Sequence, residues 1–575
     1  MEKRLILAIV LSFLVLFGWQ ALFNKPDKTP PKPEVQTAAV PVQETPGAVP
    51  EQQKAAAGEP EQVPPRIEQP RSSDKTAIRA DGARTYKVIT SLYTAEWSNE
   101  GGVLKSWTLS RYKDKLKKDE NGEPKPLELV PMDASKIGYP FSVDLDDDKL
   151  DKFLNKDAKF AVTAIPDPNT EGDVDLRNVK RGELTFTFYD FYDGAWVKAE
   201  KVFRFVDGSY AVETETRVWR NDVPAALSVL WGPGIGNPTE ADNKQRRVNR
   251  GLSAYSGGDR PAIVRVSEKS VVSKPADYRQ LRWAAYEDHY FVALFAFPDQ
   301  NGRATFRQES GPDGQTSGYV LSVTQPQRAF IGPKESDALK AFGDNAKDVI
   351  NYGKFIINLK AIAEIMLVAV RYFHTLIPNW GIAIILLTTL IKIIFFPLTY
   401  SSTKSMAKMA DLQPKVKAIR NKYKKSKTDI DQRRQMNEEM MKLYKEQGVN
   451  PAGGCLPMLI QLPVFIGIYQ MLLAAIEFRH SPFVFWIRDL SVHDPTFITP
   501  VLMGVTQFIS QKMTPTSADP SQAKMMLIMP IFMTFIFLYF QSGLVLYWLT
   551  SNVLQIGQQA IINRMMHRHA PAKAK

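Results

Sequence analysis

The sequence predicts a mixed fold: a six-span α-helical membrane protein that carries a large exported antiparallel β-sandwich domain. Long apolar runs lie at the start of the 575-residue chain and in its last two fifths, and runs of that length are typical of membrane spans. The region between them alternates apolar and polar residues over short stretches, which indicates strands. The net charge of +12 is also uneven, because residues 350–575 hold 25 Lys and Arg against 11 Asp and Glu, while the rest holds 48 against 50. The two parts are therefore expected to lie in different surroundings.

The first predicted element is a membrane anchor at residues 1–23. Residues 5–23 are apolar apart from Ser12 and Gln20, and at helical rise they extend about 28 Å, close to the thickness of the hydrocarbon core. A cleaved signal peptide is the alternative, but its apolar region is shorter and ends at a small-residue cleavage site. Lys3 and Arg4 place the start of the anchor in the cytoplasm. Residues 24–75, rich in Pro, Gln and Glu, are expected to form a flexible exported linker.

The β-sandwich domain is predicted over residues 76–345. Residues 184–188 and 212–218 alternate with a period of two, and Asn-Gly and Asp-Gly pairs mark turns between such runs. His289 beside Asp288 and the glycines Gly232, Gly234 and Gly236 are the only candidates for chemistry. The glycines lack the following amphipathic helix that would complete an anion site. We therefore interpret these features as a surface histidine and turn glycines.

Residues 350–376 predict an amphipathic helix that lies in the membrane interface. Lys360, Glu364 and Arg371 are spaced three to four residues apart or by multiples of that spacing, and the other face of the helix is apolar. A core helix of the β-sandwich domain is the alternative.

Five further spans are predicted after this helix, and the positive-inside rule orients them. The loop at 401–445 holds 13 Lys and Arg against 5 Asp and Glu, whereas the loop at 477–495 has only Arg479 and Arg488 as basic residues. The first loop and the basic tail at 566–575 are therefore expected in the cytoplasm, and the second loop outside. Both termini are then cytoplasmic and the β-sandwich domain is exported. The spans are placed at residues 379–400, 453–475, 496–510, 525–540 and 543–563.

The basic cytoplasmic segment, residues 401–449, predicts a helical hairpin with a turn near 426–429. Met436, Met440 and Leu443 recur at helical spacing in its second half. Its charges suit anionic lipid headgroups, ribosomal RNA or acidic protein. A positively charged loop that is merely solvated is an equally open alternative.

Lys392 is the most informative polar residue within the spans. It lies about 12 Å from the cytoplasmic end of its span, so snorkelling could bring its ammonium group to the interface. A lysine held deeper costs about 3 kcal/mol, which makes an aqueous cavity its natural environment. Polar side chains also hold transmembrane helices together, but amides and hydroxyls on several spans around one charge favour a hydrated groove. The candidate lining residues are Gln461, Thr506, Gln507, Ser510, Gln511, Asn552, Gln555 and Gln559.

Two of the spans are short for a bilayer. At helical rise, residues 496–510 extend about 22 Å and residues 525–540 about 24 Å, and Pro530 interrupts the second. Local thinning of the bilayer is the expected consequence.

The composition excludes several kinds of site. The single cysteine, Cys455, cannot form an intrachain disulfide framework or a Cys-rich metal site, and the six histidines include no helical pair at zinc-binding spacing. The chain also lacks a nucleotide-binding motif. We therefore expect no cofactor, no metal site and no enzymatic catalysis.

The C-terminal part resembles the YidC family of bacterial membrane protein insertases. The resemblance extends over about 190 residues in the family's order. Its motifs include NWG at 379–381, FPLT at 396–399, NPAGGCLP at 450–457, QLP at 461–463, LMG at 502–504 and SGLVLY at 542–547.

The resemblance implies a five-helix core at residues 377–565 that encloses a hydrophilic groove, open to the cytoplasm and to lipid. The groove charge of the family, often arginine, falls on Lys392, and Thr388 and Gln461 fall at groove positions. Trp548 stands where many relatives have a second tyrosine, so a hydroxyl contact is not expected there. The anchor and the exported domain resemble the form found in bacteria with two membranes. This implies the bacterial inner membrane, with the large domain in the periplasm.

The implied function is that of a membrane protein insertase and chaperone, which acts alone or with the Sec translocon and hydrolyses no nucleotide. The hydrophilic flank of a nascent membrane protein would enter the groove while its apolar segment slides into the lipid bilayer. The hairpin and the tail would contact the ribosome and signal recognition particle components. Two alternatives remain: a secondary transporter, which would need an internal repeat and embedded acidic residues, and an assembly chaperone beside the Sec translocon. The expected outward-facing apolar slide consists of Met471, Leu472, Leu473, Met533, Phe535 and Phe537.

Overall fold

The computed structural model describes residues 76–118, 123–236, 250–257, 261–272, 274–312, 314–352, 360–423, 429–449, 456–514 and 520–568. Residue contacts divide the chain into one unit of residues 76–517 with 525–575 and a second unit of residues 1–75 with 518–524. The predicted anchor, the linker, the hairpin turn at 426–428 and the tail beyond 568 lie outside the described residues.

The described part of the β-rich domain contains nineteen strands in two sheets. The strands are β1 Thr85–Ile89, β2 Tyr93–Ser98, β3 Val103–Lys118, β4 Pro124–Glu128, β5 Val143–Leu145, β6 Ala161–Ile165, β7 Asp173–Asp175, β8 Arg181–Tyr192, β9 Ala195–Val206, β10 Ala211–Arg220, β11 Val223–Pro224, β12 Leu227–Trp231, β13 Gly251–Ser256, β14 Ile263–Ser267, β15 Ala276–Glu287, β16 Phe291–Ala296, β17 Gly302–Ser310, β18 Ser317–Val323 and β19 Arg328–Pro333.

The two sheets pack face to face around an aromatic core. One sheet has the order β4-β3-β2-β1-β7, and the other has fourteen strands along the path β5-β12-β18-β17-β15-β16-β19-β10-β9-β8-β6, with β11, β13 and β14 off that path. The hairpins β2–β3 and β8–β9 are antiparallel, whereas β1 and β7 pair in parallel. Trp97 of β2 packs on Phe203 of β9, with ring centroids 4.1 Å apart. The expected β-rich domain is therefore confirmed.

Three short helices of the β-rich domain were not predicted: α1 Ala134–Ile137, α2 Asp148–Lys156 and α3 Ser336–Phe342. In α2 the Asp147 carboxylate accepts hydrogen bonds from the amides of Lys149 and Leu150 and caps the first turn. Only Leu150 and Leu154 of this helix are buried, so the apolar period is too brief to stand out in the sequence. The sequence analysis predicted only strands and turns over residues 76–345, and these helices were missed for this reason.

The C-terminal part is helical, as expected from its apolar runs. Its helices are α4 Lys360–Leu376, α5 Trp380–Ile394, α6 Phe396–Asp411, α7 Gln413–Lys422, α8 Ile430–Glu446, α9 Leu456–Ala474, α10 Ile498–Met513, α11 Pro520–Phe537 and α12 Ser542–Arg568.

The predicted span at 379–400 is not one straight helix. Asn379 caps α5 by accepting a hydrogen bond from the Ile382 amide at 3.1 Å, and α5 ends at Ile394. Pro397 lies in the first turn of α6, a position that tolerates its missing amide hydrogen. The two helices meet at Phe395 with a bend of 58°.

Length and hydropathy together single out one candidate for a membrane crossing. Taken alone, none of the helices in the described ranges reaches both the length and the apolar character of a full span, whereas the bent pair α5 and α6 meets them jointly. The apolar stretches Gln461–Ala474 of α9 and Leu527–Phe537 of α11 are shorter.

The basic segment after the bend forms further helices. Lys422 of α7 and Glu439 of α8 form an ion pair with an N–O distance of 3.0 Å. Asp429 caps α8 by accepting hydrogen bonds from the amides of Asp431 and Gln432. The ion pair joins α7 to α8, and the predicted turn between them lies outside the described residues.

Candidate functional site

The candidate site is a cluster of polar side chains around Lys392, in the last turn of α5. The Lys392 side chain is only 9% exposed. Its ammonium group donates a hydrogen bond to the Gln555 side-chain oxygen of α12 over 3.0 Å. Among the described residues, no carboxylate lies within 4 Å of this ammonium group. Its positive charge is therefore held by a neutral amide and is not cancelled by a counter-ion.

Gln558 makes a second contact between the same two helices, and the sequence analysis missed it. Its side-chain amide donates to the Lys392 backbone carbonyl at 3.0 Å. Carbonyls in the last turn of a helix lose their intrahelical partners, so Gln558 supplies a donor where α5 stops. The sequence contained a signal for this contact, because Gln558 follows Gln555 by three residues and the two therefore lie on the same side of a helix.

Thr388 and Gln461 are placed by different contacts. Thr388 is buried one turn before Lys392, and its hydroxyl donates to the Ile384 carbonyl at 2.7 Å. The side-chain nitrogen of Gln461 on α9 lies 3.4 Å from the Tyr547 hydroxyl and 3.5 Å from the Ser551 hydroxyl, both on α12. The structure therefore brings Gln461 to α12, while Thr388 shares α5 with Lys392.

Two further predicted residues connect α10 to α12. Asn552 donates from its side chain to the Met503 carbonyl at 3.1 Å, and the Trp548 indole nitrogen donates to the Gln507 side-chain oxygen at 3.0 Å. These contacts hold helices together, which is the alternative role considered for embedded amides. Trp548 stands where many relatives of the family have a second tyrosine, and its indole nitrogen acts there as a hydrogen-bond donor.

Three glutamine side chains of α10 and α12 retain unused acceptors. The side-chain oxygens of Gln511, Gln558 and Gln559 are buried and have no hydrogen-bond partner within the described part of the chain. The Gln559 side-chain nitrogen, in contrast, donates to the Asn563 side-chain oxygen at 3.0 Å. A buried acceptor left unpaired costs about 1–3 kcal/mol. The cluster can therefore accept hydrogen bonds from water or from a polar guest.

Comparison with known proteins decides the family. Residues 372–569 match the model of the 60Kd inner membrane protein family, and residues 85–368 match that of the YidC periplasmic domain. The membrane protein insertase YidC of Syntrophus aciditrophicus is 36% identical over 585 residues, covering 98% of this chain and 100% of the relative. The chain belongs to the YidC family of membrane protein insertases. The resemblance found in the sequence is confirmed.

Other YidC proteins match over comparable lengths. The membrane protein insertase YidC of Geobacter metallireducens is 35% identical over 588 residues and covers all of both chains. A crystal structure of an active YidC insertase with its first transmembrane domain resolved matches with 21% identity and a TM-score of 0.35, over 84% of this chain and 93% of that chain. Membership of the YidC family makes this chain a transmembrane protein of the inner membrane with a periplasmic β-rich domain.

The apolar slide expected in this YidC-family chain is placed differently by the structure. Met471, Leu472 and Phe537 are buried, so the expectation that they face outward is wrong. Leu473 and Met533 are half-buried, and Phe535 is 66% exposed. The apolar residues of α9 and α11 are not concentrated on one face of either helix, so the sequence does not show which side packs inward. The exposed apolar residues of α11 that share one face are Ile528, Ile531, Phe532 and Phe535.

His289 is not the surface histidine that was expected. Its ring nitrogen Nε2 lies 2.7 Å from the Leu473 carbonyl at the end of α9. The Arg479 guanidinium, just beyond α9, lies over the rings of Tyr290 and Phe291, 5.7 and 5.3 Å from their centroids. These contacts form a junction between the periplasmic domain and α9, and no local pattern in the sequence indicates them.

The junction is expected to weaken in acid. Burial lowers the pKa of His289 below its ordinary value of 6.5, and the nearby Lys334 ammonium acts in the same direction. The ring is therefore neutral when the junction is formed, whereas in the unfolded chain it takes up a proton below about pH 6.5. The unfolded state then binds more protons, so the free energy of unfolding falls as the pH drops through this window, by at most about 1.4 kcal/mol per pH unit.

Thermal denaturation of the full chain in detergent at pH 7.5 and pH 5.5 checks this prediction. His289→Gln keeps an N–H donor for the Leu473 carbonyl but cannot titrate, so it should show a smaller loss of Tm between the two pH values. The acidic neighbours Glu287 and Asp288 are present in both proteins, and their contribution cancels in the comparison. Equal pH dependence of the two proteins would contradict the assignment.

Proposed function

We propose that this chain inserts nascent membrane proteins into the inner membrane and helps them fold, by offering their hydrophilic flank a positively charged polar groove. The proposed groove is lined by α5, α9, α10 and α12. The observation that carries the proposal is the Lys392 ammonium group, which is buried beside a neutral amide. A buried cation with a neutral partner remains available to a negatively charged guest.

Hydration of the groove is the second part of the proposal. Polar residues of a client cross the hydrocarbon core only at the cost of several kcal/mol for each unpaired group. The unpaired oxygens of Gln511, Gln558 and Gln559 and the amides of Gln461 and Gln555 supply acceptors and donors that can hold water or client groups in place of bulk solvent. The groove therefore lowers the cost of the hydrophilic flank while it crosses.

The driving force is the transfer of the client's apolar segment into lipid. About 20 apolar residues suffice to span the bilayer, and we propose that they leave along the exposed face of α11, which includes Phe535. Half-buried Met533 would form the inner edge of this path. Nucleotide hydrolysis and a cofactor have no part in the mechanism.

The orientation follows from charge. The basic helices α7 and α8, within the loop that holds 13 Lys and Arg against 5 Asp and Glu, are proposed to lie in the cytoplasm together with both termini. The proposed topology has six spans, the first being the anchor at 1–23. In this position the hairpin and the tail can receive clients from the ribosome and signal recognition particle components, and the core can receive them from the Sec translocon.

Reconstitution of the purified full chain into protein-free liposomes tests the proposed function. A small single-span client synthesised in vitro should become protected from protease at its exported end, to a greater extent than with empty liposomes. No gain in protection, together with activity that appears only when the Sec translocon is added, would indicate an assembly chaperone. Solute uptake without insertion would indicate a transporter.

A further inference from the structure

A cleft of about 360 Å³ lies between α4 and the last helical segment of the periplasmic domain. The domain side of the cleft is formed by Asp337 and Lys340 of α3 and by Lys347. The helix side is formed by Glu364 and by the apolar residues Ile365 and Val368. One wall is therefore charged, and the rim of the other is apolar.

Helix α4 has three distinct faces. Ala363, Met366 and Val370 are buried against the rest of the protein. Ile365 and Tyr372 belong to an exposed apolar face, with exposures of 70% and 62%. The charged residues of the helix lie between these two faces, so the cleft follows the border between charge and exposed apolar surface. In a protein of the inner membrane, such a face is suited to contact with acyl chains.

The charges in the cleft are not all satisfied by one another. Lys347 pairs with Glu364 at 2.8 Å, and Arg371 pairs with Asp337 at 3.0 Å. In the described ranges, the Lys340 ammonium has no carboxylate within 4 Å, and Lys340 is exposed. The cleft therefore has one cation that remains available to a phosphate.

The cleft also offers acceptors for a cation. The Asp337 side chain is 77% exposed although it is paired with Arg371. The Glu364 side chain lines the same cleft and is 27% exposed, so it adds negative charge beside Asp337. A single ligand that carries both an anion and an N–H cation would complement both parts of the cleft.

We propose that this cleft binds the headgroup of phosphatidylethanolamine from the outer leaflet of the membrane. The phosphate lies at Lys340, the primary ammonium donates to the exposed Asp337 carboxylate beside Glu364, and the acyl chains lie along Ile365, Val368 and Tyr372. Phosphatidylglycerol offers no ammonium to the carboxylates, and the quaternary ammonium of phosphatidylcholine has no N–H to donate. A lipid bound in this cleft would hold α4 and the periplasmic domain at the membrane surface.

Lipid retention by the full chain in detergent, measured by native mass spectrometry, tests the site. Equimolar phosphatidylethanolamine, phosphatidylglycerol and phosphatidylcholine of the same chain length are offered together, and preferential retention of phosphatidylethanolamine is expected. Lys340→Gln should reduce that retention by about fivefold, the upper range for an exposed ion pair, and Lys340→Glu should reduce it further. Lys149→Gln, at an exposed lysine of α2 that does not line the cleft, is the matched control and should leave retention unchanged.

Three results would overturn the proposal. Equal retention of phosphatidylglycerol and phosphatidylethanolamine would show that the carboxylates do not select the ammonium group. Equal effects of the Lys340 and Lys149 substitutions would show that lipid is held elsewhere on the protein. Unchanged retention in Asp337→Asn, with Tm retained, would remove the carboxylate from the site. The liposome insertion assay tests the proposed role of the groove around Lys392, and its outcome does not depend on lipid retention in the cleft.

Discussion

Lys392→Ala is expected to lower the insertion of clients with acidic exported flanks by about tenfold to a hundredfold. The estimate follows from the about 1.5–3 kcal/mol that a hydrogen bond to a charged group contributes. Lys392→Arg retains the positive charge and should retain most of the activity, although its planar group presents its donors differently. Protease protection of the client in liposomes containing each variant measures the effect.

A substitution at Gln555 provides a sharper control for the same idea. In the wild-type protein the Gln555 side-chain oxygen lies 3.0 Å from the Lys392 ammonium. Gln555→Glu replaces this neutral amide with a carboxylate of nearly the same shape. The resulting ion pair would occupy the cation, so Gln555→Glu should impair the same acidic clients as Lys392→Ala. Clients with neutral flanks should be affected little by either change. Equal insertion of acidic clients by wild type, Lys392→Ala and Gln555→Glu would eliminate the role of the groove charge.

Gly504→Ala is expected to destabilise the membrane part of the protein by about 1–3 kcal/mol, the usual range for overpacking. A Cβ atom at Gly504 of α10 would overlap the Thr534 hydroxyl oxygen of α11. That hydroxyl is held in place because it donates to the Pro530 carbonyl at 2.8 Å. The absence of a side chain at Gly504 therefore allows α10 and α11 to approach closely, as small residues commonly do between membrane helices.

The double substitution Gly504→Ala with Thr534→Ala tests this explanation, because it removes the overlapping oxygen. Its Tm in detergent should recover most of the loss seen for Gly504→Ala alone. Gly557→Ala is the matched control: a Cβ atom there meets nothing within 4 Å, and alanine favours a helix over glycine. A loss of Tm at Gly557 as large as at Gly504, or no recovery in the double variant, would count against the close approach.

The sequence predicted features that depend on short stretches of chain. The alternation at 184–188 appears as β8, in which Leu184, Phe186 and Phe188 are buried. The apolar runs predicted at 453–475, 496–510, 525–540 and 543–563 overlap the helices α9, α10, α11 and α12, because apolar character over 15 or more residues is a local property. The bend at Phe395 was missed, although Pro397 supplied a signal for a boundary nearby.

Contacts between distant residues could not be predicted in the same way. The partners of Lys392 lie 163 and 166 residues further along the chain, and their identity depends on how α12 packs beside α5. The burial of Met471 and Phe537 depends on packing as well, since α9 and α11 do not concentrate their apolar residues on one face that would show which side packs inward. Lys201 in β9 shows the effect in the periplasmic domain. It occupies an inward position, where its ammonium group donates to the carbonyls of Gly101 and Phe141.

The sequence by itself determined the division of this protein into a β-rich periplasmic domain and a helical membrane part, the family, and the position of Lys392 within an apolar run. These properties depend on composition, periodicity and short motifs, which survive without knowledge of any contact. Only the tertiary structure decided that Gln555 and Gln558 hold Lys392, that His289 joins the periplasmic domain to α9, and which face of α11 is exposed. Each of these depends on the packing of elements far apart in the chain, where side-chain geometry determines which polar groups meet.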